Sequence, residues 1–439
     1  MFAAGGELRA VAGSRRVDRY VFDESPTVFM NSRSLLKSAP GDGELPARDG
    51  TPVGGAFLSP VMVVKQAAID HNVAAMAQFC TEAGVLLAPH GKTTMSPELI
   101  GRQLAAGAWG LSAATVAQVR AFRSFGVANV LLANELTDPA GIDWIVRDQL
   151  SHPGQGFLCY VDSLDGVRLL ESQLASTVAT CAIDVLVEVA PTGARTGCRT
   201  VDDARRVAQR VADSAHLRLV GVAGYEGALG GSRSAGTIRK VGGYCRFLGA
   251  AATALDSDGL FGGDQVLLSA GGGVFFDIVV SELATWRPSS AAVQLIIRPG
   301  SYITHDDGLY AQMSAFAQPG ARYSLRPALE IWGRVLSRPE PGLAFLDFGR
   351  RDVPFDQGLP MPHTVRAVDA AELRPATGFS ITALNDQHAY LSIDPNDPIR
   401  PGQWVGCGVS HPCTAFDKWR YLPLVDDEYR CVGSVTTYF

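Results

Sequence analysis

One lysine stands in the stretch Gly84-Val85-Leu86-Leu87-Ala88-Pro89-His90-Gly91-Lys92-Thr93-Thr94. The run before Pro89 is short and apolar and reads as a buried strand, so Lys92 falls just past a strand's C-terminal end. Partial burial lowers an amine's pKa, and a neutral amine can form a Schiff base. Taken alone, the stretch reads equally as a loop with a solvated lysine. In Ser269-Ala270-Gly271-Gly272-Gly273, glycines would let backbone N–H groups approach an anion closely, with a tight turn as the alternative. Gly300-Ser301 offers a second set of amides after the next apolar run. Arg195 and Arg298 also follow apolar runs; an arginine there can donate to a cofactor ring or form an ion pair on a rim. His411 and Cys413 are separated by one residue, which in a strand puts both on one face and makes half of a zinc site. His388, in Asn385-Asp386-Gln387-His388, is an acid/base candidate or a satisfied histidine in a β turn.

These residues need elements to carry them, and the chain supplies an alternating series. Strands are expected at 84–88, 109–112, 129–133, 157–161, 183–189, 218–223, 265–269 and 293–297. Helical stretches lie between most of them, at 95–107, 114–125, 164–175, 201–214 and 240–256. Eight strands with intervening helices predict a (β/α)8 barrel, an α/β architecture whose active site sits at the C-terminal strand ends. Those ends carry His90 and Lys92, Asn134 and Glu135, Arg195-Thr196-Gly197, Tyr225-Glu226-Gly227, the glycine run, and Arg298-Pro299-Gly300-Ser301-Tyr302. Barrels often build phosphate sites from the loops after strands seven and eight, which here are the glycine run and Gly300-Ser301. No Gly-x-Gly-x-x-Gly turn supports a dinucleotide fold.

An earlier strand candidate, 61–65, is followed by a helical pattern at Ile69, Val73, Met76 and Phe79. Beyond about 311 the texture changes to short β-like runs between Pro and Gly turns, at 329–336, 343–348, 379–384, 388–393, 403–409 and 430–438. The expected organisation is an extension over 1–56 that partly joins the β domain, a barrel over 57–310 and a smaller all-β domain over 311–439.

The chain has 439 residues, 47% hydrophobic, with a net charge of −6. No basic stripe points to nucleic acid or an anionic membrane surface, and no apolar run is long enough to span a bilayer. The first residues lack an apolar signal segment, and the eight cysteines are scattered, with Cys159 and Cys181 inside apolar strands. Both features predict reduced thiols in a cytoplasmic protein.

Taken together, Pro89-His90-Gly91-Lys92-Thr93, Ala106-Gly107-Ala108, Leu132-Ala133-Asn134, Arg195-Thr196-Gly197, Gly224-Tyr225-Glu226-Gly227, the glycine run, Arg298–Tyr302 and His411-Pro412-Cys413 resemble the fold-type III pyridoxal-phosphate enzymes. Over about 58–439 the chain is similar to the branch of D-serine dehydratase and D-threonine aldolase, and more distantly to alanine racemase. The resemblance implies that Lys92 carries the cofactor and that Gly271, Gly272, Gly273, Gly300 and Ser301 hold its phosphate. It implies that Arg195 approaches the phenolic oxygen, that Tyr225 lines the pocket and that Arg298 lies near the pyridine nitrogen. His411 and Cys413 would bind a divalent metal beside the substrate's β-hydroxyl, zinc being favoured by a thiolate ligand. Dehydratases of the branch carry His-x-Cys and aldolases His-x-Asp. The implied reaction is dehydration of a 3-hydroxy D-amino acid such as D-serine to a 2-keto acid and ammonia. The alternatives are retro-aldol cleavage to glycine and an aldehyde, racemisation, and a non-catalytic carrier of the cofactor. The branch usually has Glu-His-Gly where this chain has Gln387-His388-Ala389. A head-to-tail homodimer, with the β domain of one chain closing the barrel mouth of the other, is also implied.

Overall fold

The computed structural model describes residues 37, 51–53, 57–177, 182–288, 291–367 and 373–439. Apart from Lys37 and 51–53, the extension expected over 1–56 lies outside the described residues up to 56, as does Cys181.

The first strand, β1 (Val61–Lys65), is followed by eight parallel strands: β2 (Leu86–Leu87), β3 (Leu111–Ala113), β4 (Asn129–Glu135), β5 (Gly156–Val161), β6 (Ile183–Glu188), β7 (Leu217–Ala223), β8 (Gln265–Ser269) and β9 (Ala292–Ile297). Their order around the sheet is β2-β9-β8-β7-β6-β5-β4-β3. The ring closes between β2 and β3. There a parallel bridge joins His90 to Ser112, the Trp109 amide donates to the Leu87 carbonyl at 2.8 Å, and the Ser112 amide donates to that of Pro89 at 2.9 Å. The strands are apolar at nearly every position because a barrel buries both faces of its sheet; in β6 all residues but Asp184 are buried.

A recurring device sets where each strand loop turns into a helix. Ser96, Thr115, Asp138, Ser163, Thr200 and Ser234 each accept a hydrogen bond from the amide three residues on. Each such cap contributes about 1 kcal/mol. The helices then bury one stripe, as in Val201–Ala212, where Ala204, Val207, Ala208 and Val211 face the barrel.

The second sheet comprises β10 (Leu329–Glu340), β11 (Leu343–Leu346), β12 (Met361–Arg366), β13 (Leu373–Pro375), β14 (Ser380–Leu384), β15 (Ala389–Ser392), β16 (Trp404–Gly408), β17 (Tyr421–Val425) and β18 (Cys431–Thr436), together with β1. Its main path is β13-β12-β16-β10-β1-β17-β18. Here the structure corrects the reading of 61–65, which falls inside the range expected for the barrel. β1 pairs antiparallel with β10, Val61 opposite Trp332, and parallel with β17. Lys65 Nζ donates to Glu330 Oε1 at 2.7 Å and fixes the register. The barrel is therefore an insertion between two paired strands of the second sheet.

Among the described residues seven cysteines are free, and no helix is long and apolar enough to cross a membrane.

Candidate active site

A cavity of about 370 Å³ opens at the C-terminal ends of the barrel strands and is closed over by the loop that follows β16. Lys92 enters it from a one-turn 3-10 helix, Gly91–Thr93, directly after β2. Its side chain is exposed rather than partly buried, because the turn lifts it clear of the strand into the cavity mouth. Its neighbour Thr93 is buried and faces Gly300: a Cβ on Gly300 would lie 2.6 Å from Thr93 Oγ1 and 2.7 Å from the His90 carbonyl oxygen. The loops after β2 and β9 thus touch backbone to backbone.

The glycine run is built differently from the expected cradle. Glu226, fully buried, accepts hydrogen bonds from the amides of Gly271 at 3.0 Å and Gly272 at 2.6 Å. Those two amides are committed to a carboxylate of the chain itself, and Gly271 does not line the cavity. Gly273 and the turn at Gly300-Ser301 are left to meet an anion. Gly273 has no room for a side chain, since a Cβ there would lie 2.8 Å from the Tyr310 ring. Glu226 stands beside Tyr225 in sequence, but its partners are 45 and 46 residues away, so spacing gave no signal for its role.

Arg195 and Arg298 both reach the cavity, in different ways. The Arg195 guanidinium lies 4.6 Å above the Tyr225 ring, a cation–π contact that orders both side chains at the wall. Arg298 is buried, and its terminal nitrogens donate to Ser269 Oγ at 2.5 Å and to the Gly224 carbonyl at 2.6 Å. It staples together the loops after β7, β8 and β9 instead of pairing with a rim carboxylate. Only its Nε remains without a partner among the described residues.

Three further polar groups stand in the wall: His90, from the lysine motif, and Tyr160 and Glu188, which no motif marks. His90 is held neutral, well below the ordinary histidine value, by burial and by the positive charges of Arg298, Lys92 and Arg195. Tyr160, on β5, is pushed up to about 12 by burial. Glu188 ends β6, and burial together with the Glu188 carboxylate pushes Glu135, at the end of β4, up to about 8. His90 Nδ1 and Arg298 Nε are buried without partners among the described residues, and both residues line the cavity. Buried polar atoms are nearly always satisfied, so such a pair marks where a polar ligand fits.

His411 and Cys413 line the same cavity as Lys92, but not from one strand. His411 sits in the turn after β16 with φ of 64°, and Cys413 begins a short helix, Cys413–Phe416. The left-handed residue followed by Pro412 brings the two side chains together where alternation along a strand would have done so. His411 Nδ1 donates to Asp356 Oδ2 at 2.5 Å, and its amide donates to Asp306 Oδ2 at 2.8 Å. Burial pushes the Cys413 thiol up, but hydrogen bonds with His411, Ser301 and Thr93 outweigh it and hold the thiol below its ordinary value. The Cys413 sulfur and then Asp356 push His411 up to about 9, against burial. Among the described residues no group of three or more His, Cys, Asp or Glu gathers that could hold a metal, so the pair stands without a third candidate ligand. His388 is not brought to this cavity. It is exposed in the tight turn between β14 and β15, its ring 6.5 Å from that of Phe345, and the hairpin geometry turns it away. His411 and Cys413, from the second domain, thus share one cavity with Lys92 of the same chain.

Comparison with known proteins meets this geometry at both ends of the chain. The family described as "Alanine racemase, N-terminal domain" matches residues 64–241, and that described as "Putative serine dehydratase domain" matches residues 328–425. D-threonine aldolase of Arthrobacter sp is 25% identical over 352 residues, which is 80% of this chain and 84% of the relative. D-threo-3-hydroxyaspartate dehydratase of Delftia sp. (strain HT23) is 26% identical over 259 residues, 54% of this chain and 66% of the relative. The crystal structure of D-threonine aldolase from Filomicrobium marinum superposes with a TM-score of 0.72 at 24% identity, covering 90% of this chain and 98% of that one. The two family matches and these relatives together support a place among the fold-type III pyridoxal-phosphate enzymes, in the branch of D-serine dehydratase and D-threonine aldolase.

The residues of this fold-type III enzyme fit the cofactor of its family. The Lys92 amine is open to the cavity, Gly273 and Gly300 leave space that a Cβ would fill, and the unpartnered His90 Nδ1 and Arg298 Nε are left for a polar ring. An imidazole and a thiol side by side also suit a soft divalent ion. The cofactor would be held by Lys92, Gly273, Gly300, Ser301, Arg195 and Tyr225, and the ion by His411 and Cys413.

Proposed function

We propose that this enzyme is a lyase that dehydrates a 3-hydroxy D-amino acid, D-serine among its substrates, to a 2-keto acid and ammonia. The observation that carries the reading is Cys413 beside His411 at the mouth of the cavity that Lys92 enters. When bound, pyridoxal phosphate supplies an electron sink for charge developing at Cα, and zinc a Lewis acid for the β-hydroxyl.

The chain's own residues do the rest. Lys92 Nζ, once exchanged for the substrate amine, takes the α-proton. His411 and Cys413 orient the leaving hydroxyl toward their side of the cavity. Arg195 and Tyr225 form the wall that holds the ring, and the amides of Gly300 and Ser301 balance phosphate charge. Loss of water from Cα and Cβ, followed by hydrolytic release of the amino group, balances as one hydroxy amino acid giving one keto acid and one ammonia.

The aldolase relative supports a second reading in which the Cα–Cβ bond breaks instead, giving glycine and an aldehyde. The two are separated by assay. Protein loaded with cofactor and zinc is incubated with D-serine, D-threonine and D-threo-3-hydroxyaspartate. Keto acid and ammonia in equal amounts are expected. Glycine with an aldehyde would overturn dehydration in favour of the aldolase reading. We further propose that the enzyme works as a homodimer in the cytoplasm, where its unpaired cysteines would stay reduced.

A further inference from the structure

His411 is fixed from two sides by residues far away in sequence. Its backbone is held by Asp306, whose Oδ2 accepts the His411 amide at 2.8 Å while Oδ1 accepts the amides of Tyr310 at 2.7 Å and Gly308 at 3.1 Å. That arrangement ties the turn after β16 to the loop after β9. Its ring is held by Asp356, 55 residues upstream, whose Oδ2 lies 2.5 Å from Nδ1. The other carboxylate oxygen accepts from Thr414 Oγ1 at 3.0 Å.

A carboxylate only accepts, so the nitrogen facing it carries the proton. In the neutral ring this leaves Nε2 with its lone pair, and Nε2 is the nitrogen left to face Cys413, which is hydrogen-bonded to the same ring. A histidine that ligates through one nitrogen is fixed by the hydrogen bond its other nitrogen makes. The loop bearing Asp356 is itself anchored. Asp352 takes Lys37 Nζ at 2.7 Å on one oxygen and the Gly349 amide at 3.0 Å on the other, and its carbonyl accepts Trp419 Nε1 at 2.7 Å. Ser410 Oγ, next to His411, donates at 2.8 Å to the carbonyl of Gln357, next to Asp356. The Asp356–His411 contact is therefore one of two parallel ties between well-held loops.

We propose that Asp356 is a positioning residue for metal capture, holding His411 in the tautomer and rotamer that present Nε2 beside the Cys413 sulfur. The inference rests on the reading that His411 and Cys413 bind a divalent ion.

Zinc affinity of the metal-stripped protein, measured in competition with a chromophoric chelator, tests it. Replacing the partner that orients a ligating histidine lowers metal affinity about 10–100-fold. Asp356→Ala is expected to fall in that range. Asp356→Asn keeps an acceptor for the Nδ1 proton and is expected to lose less. Thr414→Val removes the tie to Asp356 and a 3.2 Å bond to the His411 carbonyl while sparing the His411 ring, and is expected to bind zinc like the parent. Cofactor absorbance should be the same in all three. Equal zinc affinity of Asp356→Ala and the parent overturns the proposal. Equal losses in Thr414→Val and Asp356→Ala also overturn it, since Asp356 would then only hold the loop. A thermal melt of each metal-free variant guards against collapse, and Asp356→Asn carries the comparison if Asp356→Ala does not fold. If the parent protein binds no zinc, the metal reading itself fails, and the inference with it.

Discussion

Glu135 holds a proton that an exposed glutamate would have lost. Burial and the Glu188 carboxylate lift it from 4.5 to about 8, with Asp162 adding a smaller push. Between those values the folded chain binds more protons than the unfolded one, so this group makes stability fall as pH rises through the window and leaves it flat above. An amide mimics the protonated carboxyl. Apo Glu135→Gln should therefore melt with the parent near about pH 5 and above it near about pH 9. Parallel melting curves across that span would show that the pair does not share a proton. The residue scale also shows what single positions can disclose. Lys92, Arg195, Tyr225, Arg298, Gly300, Ser301, His411 and Cys413 were legible because chemistry-bearing types follow apolar runs or recur in a motif, and they meet in one cavity. The role of Glu226, though its place was in a motif, and Asp356 altogether were not, because each acts on a residue about fifty positions away that no local pattern links to it. Arg298 shows the limit from the other side: its place was legible, but its capture by Ser269 and Gly224 was not.

At the scale of elements, the contact between the loops after β2 and β9 is the most exacting. A methyl group on Gly300 would meet Thr93 Oγ1 and the His90 carbonyl, and the backbone carbonyl cannot swing away. Overpacking of this kind costs about 1–3 kcal/mol, and here it would displace the turn that carries Lys92. Gly300→Ala is expected to lower both melting temperature and cofactor affinity, the latter about tenfold or more for 1.4 kcal/mol or more lost in the bound state. Gly101, within helix Pro97–Ala105, has nothing near its missing Cβ, and Gly101→Ala should be neutral or stabilising by up to about 1 kcal/mol. Calorimetry with cofactor titration compares the two; equal behaviour would mean that the loop contact is soft. The barrel strands were read nearly to their ends because both faces are apolar. The strands Met361–Arg366, Leu373–Pro375 and Tyr421–Val425 escaped because Pro362, Pro375 and Pro423 interrupt their β pattern. β1 was legible as a strand but not as a member of the second sheet, since a buried apolar run does not name its partner.

Over the whole molecule, the barrel is inserted between β1 and β10, two strands paired with each other, so the chain leaves the second sheet and returns to it. That topology holds the loop after β16 over the barrel mouth. Cys413 Sγ lies 3.5 Å from both Thr93 Oγ1 and Ser301 Oγ, contacts that bridge 320 and 112 residues of sequence. The two halves of the proposed chemistry therefore arise from different sheets: Lys92, Arg195, Tyr225 and Gly300-Ser301 from the barrel, His411 and Cys413 from the second domain. Removing one half should leave the other loaded. Chelation is expected to abolish keto-acid formation while leaving cofactor absorbance intact, and added zinc should restore turnover. Lys92→Ala is expected to lose the absorbance while still binding zinc with parental affinity. Loss of cofactor on chelation would instead mean that the ion braces the barrel mouth through Thr93 and Ser301. The metal would then be structural, and the assignment of the β-hydroxyl to His411 and Cys413 would lose its support.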